Sequence, residues 1–233
     1  MTSSSDSVGM NNSSNLAVRK PWGYEYPILE TKDLGLWALF LAGDESTSLH
    51  CHPKKKTGLA VVTGTVKVSF LNDFMMLGPA GRLMIRPGLF HSSTATTKAG
   101  AIMLEIETPR DKDDLVRLED RYGRKGLAYE NADHVFPLPE DSGFIRKLSE
   151  LNNEPVIFEE VELRMNTYYN QNDLDGMSPK ATAIVVRGTL DAKPNQSVLS
   201  PGDIVSIGTV QRLWETFDSP NGLELLTIFN ILS

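Results

Sequence analysis

The chain has almost nothing with which to crosslink itself. Cys51 is the single cysteine in 233 residues, which excludes an internal disulfide framework and a thiolate zinc knuckle. Long apolar runs are missing too. The longest, Leu36 to Ala42, is far too short to span a bilayer. Positive charge is in deficit: 23 Lys and Arg stand against 30 Asp and Glu, a formal charge of -7. A nucleic-acid binder driven by phosphate contacts carries the opposite balance, and no basic segment or helix-turn-helix pattern is present. No charged-then-apolar leader opens the sequence, so no secretory signal is expected. These absences together predict a soluble, reduced, cytoplasmic protein with no nucleic-acid or membrane partner.

What is there reads as short strands. At about 150 residues per domain, the length suits one large or two small domains. Residues 1–15 are nearly all Ser, Asn, Gly, Thr and Asp and are expected to form a disordered tail. From Leu36 onward, runs such as WALFLAG, LAVVTGTVKVSFL, RLMIR and AIMLEIE are separated by Gly, Pro, Asn and Asp. In TVKVSFL, Val66, Val68 and Phe70 alternate with Lys67 and Ser69, the period of a half-buried strand. The best helical candidates are DKDDLVRLEDRYG, residues 111–123, and SGFIRKLSELNN, residues 142–153. Many strands with few helices predict an all-β sandwich or barrel.

The chain also resembles itself. AVVTGTV at 60–66 matches IVVRGTL at 184–190, and Pro79 and Ile85 fall over Pro201 and Ile207, at offsets of 122–124 residues. A shared offset across separated blocks predicts a duplication. The expected division is a first domain at 16–125, a bridge at 126–154 and a degenerate second copy at 155–233.

Histidine is scarce, with only His50, His52, His91 and His134. His50 and His52 sit two apart, so on a strand they share one face and Cys51 takes the other. A Pro-Gly turn just before His91 can swing it back over the sheet. Imidazole is the commonest side-chain ligand for first-row divalent metals, and three of them with open positions make a reactive site rather than a closed one. His134 lies in a polar bridge and reads as structural or surface. Cys51 reads as a small core residue, not a nucleophile.

His50-Cys51-His52, Gly64 and Gly88-Leu89-Phe90-His91 resemble the two histidine motifs of the cupin superfamily. The flanks KPWGYE, SLHCHPKKKTGLAVVTGTV, IRPGLFH, LEIE and KDDLVRLEDRYGR occur in the order found in the cupin domain of type II mannose-6-phosphate isomerases, a domain often fused to mannose-1-phosphate guanylyltransferase. The similarity covers about residues 19–124. It implies a double-stranded β-helix, here as two tandem cupin domains. It also implies a divalent metal (Mn, Zn, Fe, Co or Ni) held by His50, His52 and His91. Departures are His50 for the usual Gln, Thr57 for Glu and Leu59 for Trp; the Glu is a metal ligand in many cupins, so the extra histidine restores the ligand count.

Sugar isomerisation also needs a base and a cationic hold on phosphate. Glu105 or Glu107, two apart on one strand face, are the candidate bases. Lys55, Lys56 and Arg124 are the candidate anion ligands. The leading expectation is therefore a metal-dependent enzyme of isomerase or epimerase type acting on an anionic sugar. The alternatives are a three-histidine Fe(II) dioxygenase and a non-catalytic carbohydrate-binding cupin. A homodimer is the assembly the resemblance implies, although the sequence marks no interface. The second copy has no histidine and is expected to have lost the metal.

Overall fold

The computed structural model describes residues 16–124, 135–138, 145, 154–194 and 196–232. The N-terminal tail, His134, nearly all of the predicted helix at 142–153 and most of the bridge lie outside the described residues. Nineteen strands and one α-helix are found within them, and no helix there is long and apolar enough to cross a membrane.

Eight consecutive strands form the first unit: β3 (Gly35–Leu41), β4 (Leu49–Cys51), β5 (Lys56–Thr63), β6 (Val66–Ser69), β7 (Phe74–Leu77), β8 (Arg82–Ile85), β9 (Ser92–Ala95) and β10 (Ala101–Thr108). One sheet runs β3-β10-β5-β8, extended beyond β3 by β2 (Gly23–Glu30), β1 (Leu16–Lys20) and β12 (Val135–Pro137). The other runs β7-β6-β9 and continues to β4 through the bridges Ser46↔Thr94 and His50↔His91. β11 (Val116–Glu119) pairs with β4 at its far side. Counted one to eight, the strands thus pair as 1-8-3-6 and 2-7-4-5. That double Greek key is the jelly roll, or double-stranded β-helix.

The alternation of side chains decides where each face goes. On β5, Leu59 and Val61 point into the core between the two sheets, with Trp37, Leu39, Val66, Val68 and Met103. Ala60 and Val62 point outward, into a second core shared with Leu163, Ile184, Ile204, Leu226 and Ile228 of the C-terminal half. Both faces of β5 are therefore apolar, as in a strand covered on two sides. Gly58 is one of the points where the halves pack tightly. A Cβ there would meet Ile106 Cγ2 at 2.6 Å and Ile204 Cγ2 at 3.0 Å.

The second half repeats one sheet of the first. β14 (Val161–Tyr168), β15 (Thr182–Arg187), β18 (Ile204–Ser206) and β19 (Leu223–Asn230) pair in the order β14-β19-β15-β18, the counterpart of β3-β10-β5-β8. β13 (Val156–Phe158) extends this sheet, and β16 (Leu190–Lys193) with β17 (Gln196–Leu199) matches the hairpin of β6 and β7. The matched glycines share a physical cause. Gly64 has φ +73°, and a Cβ on it would strike the Gly100 carbonyl oxygen at 2.6 Å; Gly188 has φ +81° and would strike that of Gly222 at 2.1 Å. Each turn needs positive φ and a bare backbone, so both carry glycine.

Two elements break the repeat. Where β4 should recur there is a 3-10 turn of helix, Gln171–Leu174. Where β9 should recur stands α1, Ile207–Trp214, capped by Ser206 Oγ accepting from the Thr209 N–H at 3.0 Å. The helix buries Ile207 and Val210 in the C-terminal unit's own core with Leu174 and Leu223.

The helix predicted over residues 111–123 is not formed. Val116 and Arg117 pair with Cys51 and His50, and the Asp114 carboxylate accepts the N–H groups of Lys54 and Lys55 at 3.0 and 2.8 Å. Lateral partners thus satisfy this backbone. The three apolar residues form no common buried face: Leu115 turns to a cavity, while Val116 and Leu118, two apart on β11, are 48% and 37% exposed.

Candidate metal centre

β4 and the residue that follows it present His50 and His52 on one side, and Cys51 is buried on the other. The backbone of His91 bonds that of His50 in both directions, N···O 3.0 and 2.8 Å, which fixes the third ring against the pair. The ring centroids lie 4.5 Å apart for His50 and His91, 5.0 Å for His50 and His52, and 5.6 Å for His52 and His91. One ligating atom from each of the three falls within 4.8 Å of the others.

Each Nδ1 has a carbonyl partner. His50 Nδ1 lies 2.8 Å from Ser48 O, His52 Nδ1 2.6 Å from Asp114 O, and His91 Nδ1 3.0 Å from Leu89 O. A carbonyl can only accept, so each Nδ1 carries the proton and donates, leaving the Nε2 lone pair for a ligand. His52 Nε2 is buried with no hydrogen-bond partner among the described residues. Burial, then the neighbouring His91 and His52, holds His50 well below the ordinary imidazole range. Burial lowers His91 to about 4, and burial with Lys55 nearby lowers His52. Three neutral imidazoles with open Nε2 atoms fit a divalent cation, which must displace no proton to bind.

Carboxylates stand beside them. Glu105 Oε1 is 4.0 Å from His52 Nε2, and His52, Glu105 and Glu107 form a second group with ligating atoms within 4.8 Å. Thr57, where the resemblance leads one to expect a Glu, pairs in register with Glu107 on β10. The negative charge missing from β5 is thus supplied by the next strand. Burial, reinforced by Glu107, raises Glu105 to about 7. Burial also opposes ionisation of Glu107, but Lys112 and Lys55 outweigh it and hold its carboxyl below the usual range. Two carboxylates two residues apart therefore have opposite tendencies: one poised to trade a proton near neutrality, one fixed as an anion.

The site floor is a chain of buried charges. Lys55 Nζ donates to Glu107 Oε1 at 2.7 Å, with the side chains 1% and 4% exposed. Lys112 lies 3.7 Å from Glu107 Oε2, 3.8 Å from Glu25 and 3.4 Å from the Trp37 ring centroid. Lys20 completes the run at 3.8 Å from Glu25. Sequence reading missed Lys20, Glu25, Lys112, Arg117 and Asp114. They come from segments brought together only by the fold, and no spacing announces them.

Of the three proposed anion ligands, Lys55 and Arg124 border the same cavity and Lys56 does not. Lys55 borders the cavity but is committed to Glu107. Lys56 points to the C-terminal half, 2.6 Å from Asp203 and 3.3 Å from Ser200 Oγ, and does not border the cavity. Arg124 does border it, with its fork on Asp120 at 2.6 and 3.1 Å. Arg117, opposite His50 on β11, also faces the cavity. The cavity holds ≈ 70 Å³, space for two or three waters at about 30 Å³ each. From the segment 114–124, Leu115, Arg117 and Arg124 line it and make its roof. Burial and the Asp114 carboxylate raise the Cys51 thiol pKa, which keeps it a protonated core residue.

No protein-family model matches the chain. Mannose-1-phosphate guanylyltransferase of Escherichia coli (strain K12) is 29% identical over 110 residues, 46% of this chain and 23% of that protein. Mannose-1-phosphate guanylyltransferase ManC of Salmonella typhimurium is 28% identical over 109 residues, with the same coverage. The chain thus spans less than a quarter of the length of these curated relatives. Among solved structures, KdgF from Halomonas sp. matches with TM-score 0.40 and 17% identity, over 45% of this chain and 95% of its own. An RmlC-like cupin from Shewanella frigidimarina matches with TM-score 0.36 and 16% identity, over 44% and 84%.

Proposed function

We propose that this protein is a metal-dependent cupin that acts on a sugar phosphate in an isomerase or epimerase reaction. The observation that carries the reading is the convergence of three Nε2 lone pairs beside Glu105, a carboxyl whose pKa lies near neutrality. His50, His52 and His91 would hold the divalent ion. Bound there, it supplies Lewis acidity that polarises a carbonyl and its neighbouring hydroxyl. Glu105, beside the histidines, accepts and returns the proton on the adjacent carbon. Glu107, held ionised by Lys55 and Lys112, keeps Glu105 from ionising too readily. Arg117 and Arg124 sit at the roof, where the charged end of a substrate would lie while its reactive end enters the small cavity. The curated relatives' names, which include mannose-1-phosphate, make sugar phosphates the first class to try.

The test loads purified protein with Mn, Co, Ni, Zn or Fe(II), measures bound metal, and follows a panel of sugar phosphates by NMR. His91→Ala is expected to lose metal and turnover together. Glu105→Gln is expected to keep the metal and lose turnover by about 10²–10⁴-fold, the usual weight of a general base. Unchanged turnover in either variant refutes the assignment. The three-histidine face also suits iron and dioxygen. Oxygen uptake by the Fe(II)-loaded protein would favour that second reading, and saturable sugar binding with neither turnover nor oxygen uptake would favour a carbohydrate-binding role.

A further inference from the structure

The two elements that break the internal repeat build a groove of their own. The segment entering the 3-10 turn supplies Tyr169, Gln171 and Asn172; the end of α1 and the loop after it supply Trp214, Asp218 and Ser219. The groove is an open depression of ≈ 520 Å³, comparable in volume to small-molecule pockets of about 300–1,000 Å³. It belongs to the C-terminal half and shares no lining residue with the histidine cavity.

Its chemistry is specific. Tyr169 is 66% exposed. The ring is nevertheless seated: a Cβ on Gly222 would meet its Cδ1 at 2.9 Å. Trp214 is half-buried beside it. Among the described residues the side-chain amides of Gln171 and Asn172 have no hydrogen-bond partner, and Ser219 Oγ is buried with none. The groove thus offers two aromatic rings and two planar amides, each amide able to donate and accept. Its one ionisable carboxylate, Asp218, is matched by no cation in the lining. A phosphorylated ligand would find repulsion there and no partner.

We propose that this groove binds an uncharged saccharide. A pyranose has an apolar C–H face to lie on Tyr169 or Trp214, and vicinal hydroxyls that pair with amide and carboxylate groups. The loss of the metal strands from the second copy thereby becomes the gain of a sugar site.

The experiment titrates the full chain with mannose, glucose, galactose, fucose, maltose and cellobiose. It reads tryptophan emission and saturation-transfer NMR. Trp22 and Trp37 are buried, so Trp214 dominates any change on binding. At least one sugar is expected to saturate. Asn172→Ala, at an exposed side chain, and Tyr169→Ala are each expected to weaken it tenfold or more, with thermal melts unchanged. His91→Ala is expected to bind it as the parent does, which separates this site from the metal site. No saturation by any of the six at their solubility limits overturns the proposal. So does undiminished binding in both Asn172→Ala and Tyr169→Ala, or loss of binding in His91→Ala.

Discussion

Lys55→Met isolates the buried charge chain. Lys55 and Glu107 are enclosed and bonded at 2.7 Å, and removal of one partner from such a pair costs about 3–5 kcal/mol, because the other charge stays buried. Lys112 remains 3.7 Å from the second Glu107 oxygen, so the lower end applies, about 3 kcal/mol. For a chain of this size that is a fall in melting temperature of about 6–12 °C. Lys55→Met with Glu107→Leu removes both charges and should recover most of the loss, since an apolar pair of similar volume is often as stable. The assay is urea unfolding and thermal melting of parent, both single variants and the double. The single-variant penalty should also shrink on acidification, because a protonated Glu107 needs no cation. A Lys55→Met protein within about 1 kcal/mol of the parent, or a double variant no better than the single, would refute the reasoning; either result would return Lys55 to the anion-binding role that the sequence suggested.

Three further outcomes are expected. His91, lowered by burial to about 4, binds fewer protons folded than unfolded between that value and about 6.5. Its contribution to metal-free stability is therefore fully present above pH 6.5 and is lost as pH falls toward 4, by about 3 kcal/mol in all; urea midpoints against pH in chelator should show it, and His91→Ala should flatten the slope. Asp114→Ala removes the carboxylate that ties the roof to Lys54 and Lys55, loosens the carbonyl on His52, and should weaken metal affinity by about tenfold, measured by competition with a coloured chelator. Gly58→Ala forces a methyl against Ile106 and Ile204 and should cost about 1–3 kcal/mol by overpacking, with metal binding retained.

The strands and the histidine trio were legible because both rest on short-range rules. Alternation places His50 and His52 together whatever the rest of the chain does, and a Pro-Gly turn ahead of His91 limits where that ring can go. Thr65 and Thr189 follow glycines that the same tight turn requires. Where apolar spacing was read alone it failed. Leu115, Val116 and Leu118 suggested a helix face, but β4 offered this stretch a ladder and Asp114 two amide donors. α1 did carry a signal that went unread: Ser206 three residues before Thr209, then Ile207, Val210 and Trp214 at helical spacing. Lys56 lies away from the cavity for a different reason. Lys55 and Lys56 are adjacent on an entering strand, so they point to opposite faces, one to Glu107 and the other to Asp203. Nothing in a run of three lysines says which face holds the cavity.

The asymmetry between the two halves follows from which sheet each must share. The sheet β3-β10-β5-β8 and its counterpart β14-β19-β15-β18 supply the two sides of a common core, where Ala60, Val62, Ile106, Ile184, Ile204 and Leu226 meet. A change in either sheet is felt across that contact, because close-packed interiors tolerate little change in volume. The opposite layer of each half carries no such duty. In the first half it holds β4 and β9, whose backbones bring the three histidines together; in the second it is free to be helix, provided Ile207, Val210 and Leu174 still close the local core. The packing thus binds one layer of each unit to the other unit and leaves the remaining layer to carry the three histidines in one half and aromatic and amide side chains in the other, while Glu105 and Glu107 reach the histidines from the shared sheet. On this reasoning the second half contributes to the metal site only through stability. Weakening the shared core, as Gly58→Ala does, should therefore lower the melting temperature while leaving the affinity for metal unchanged.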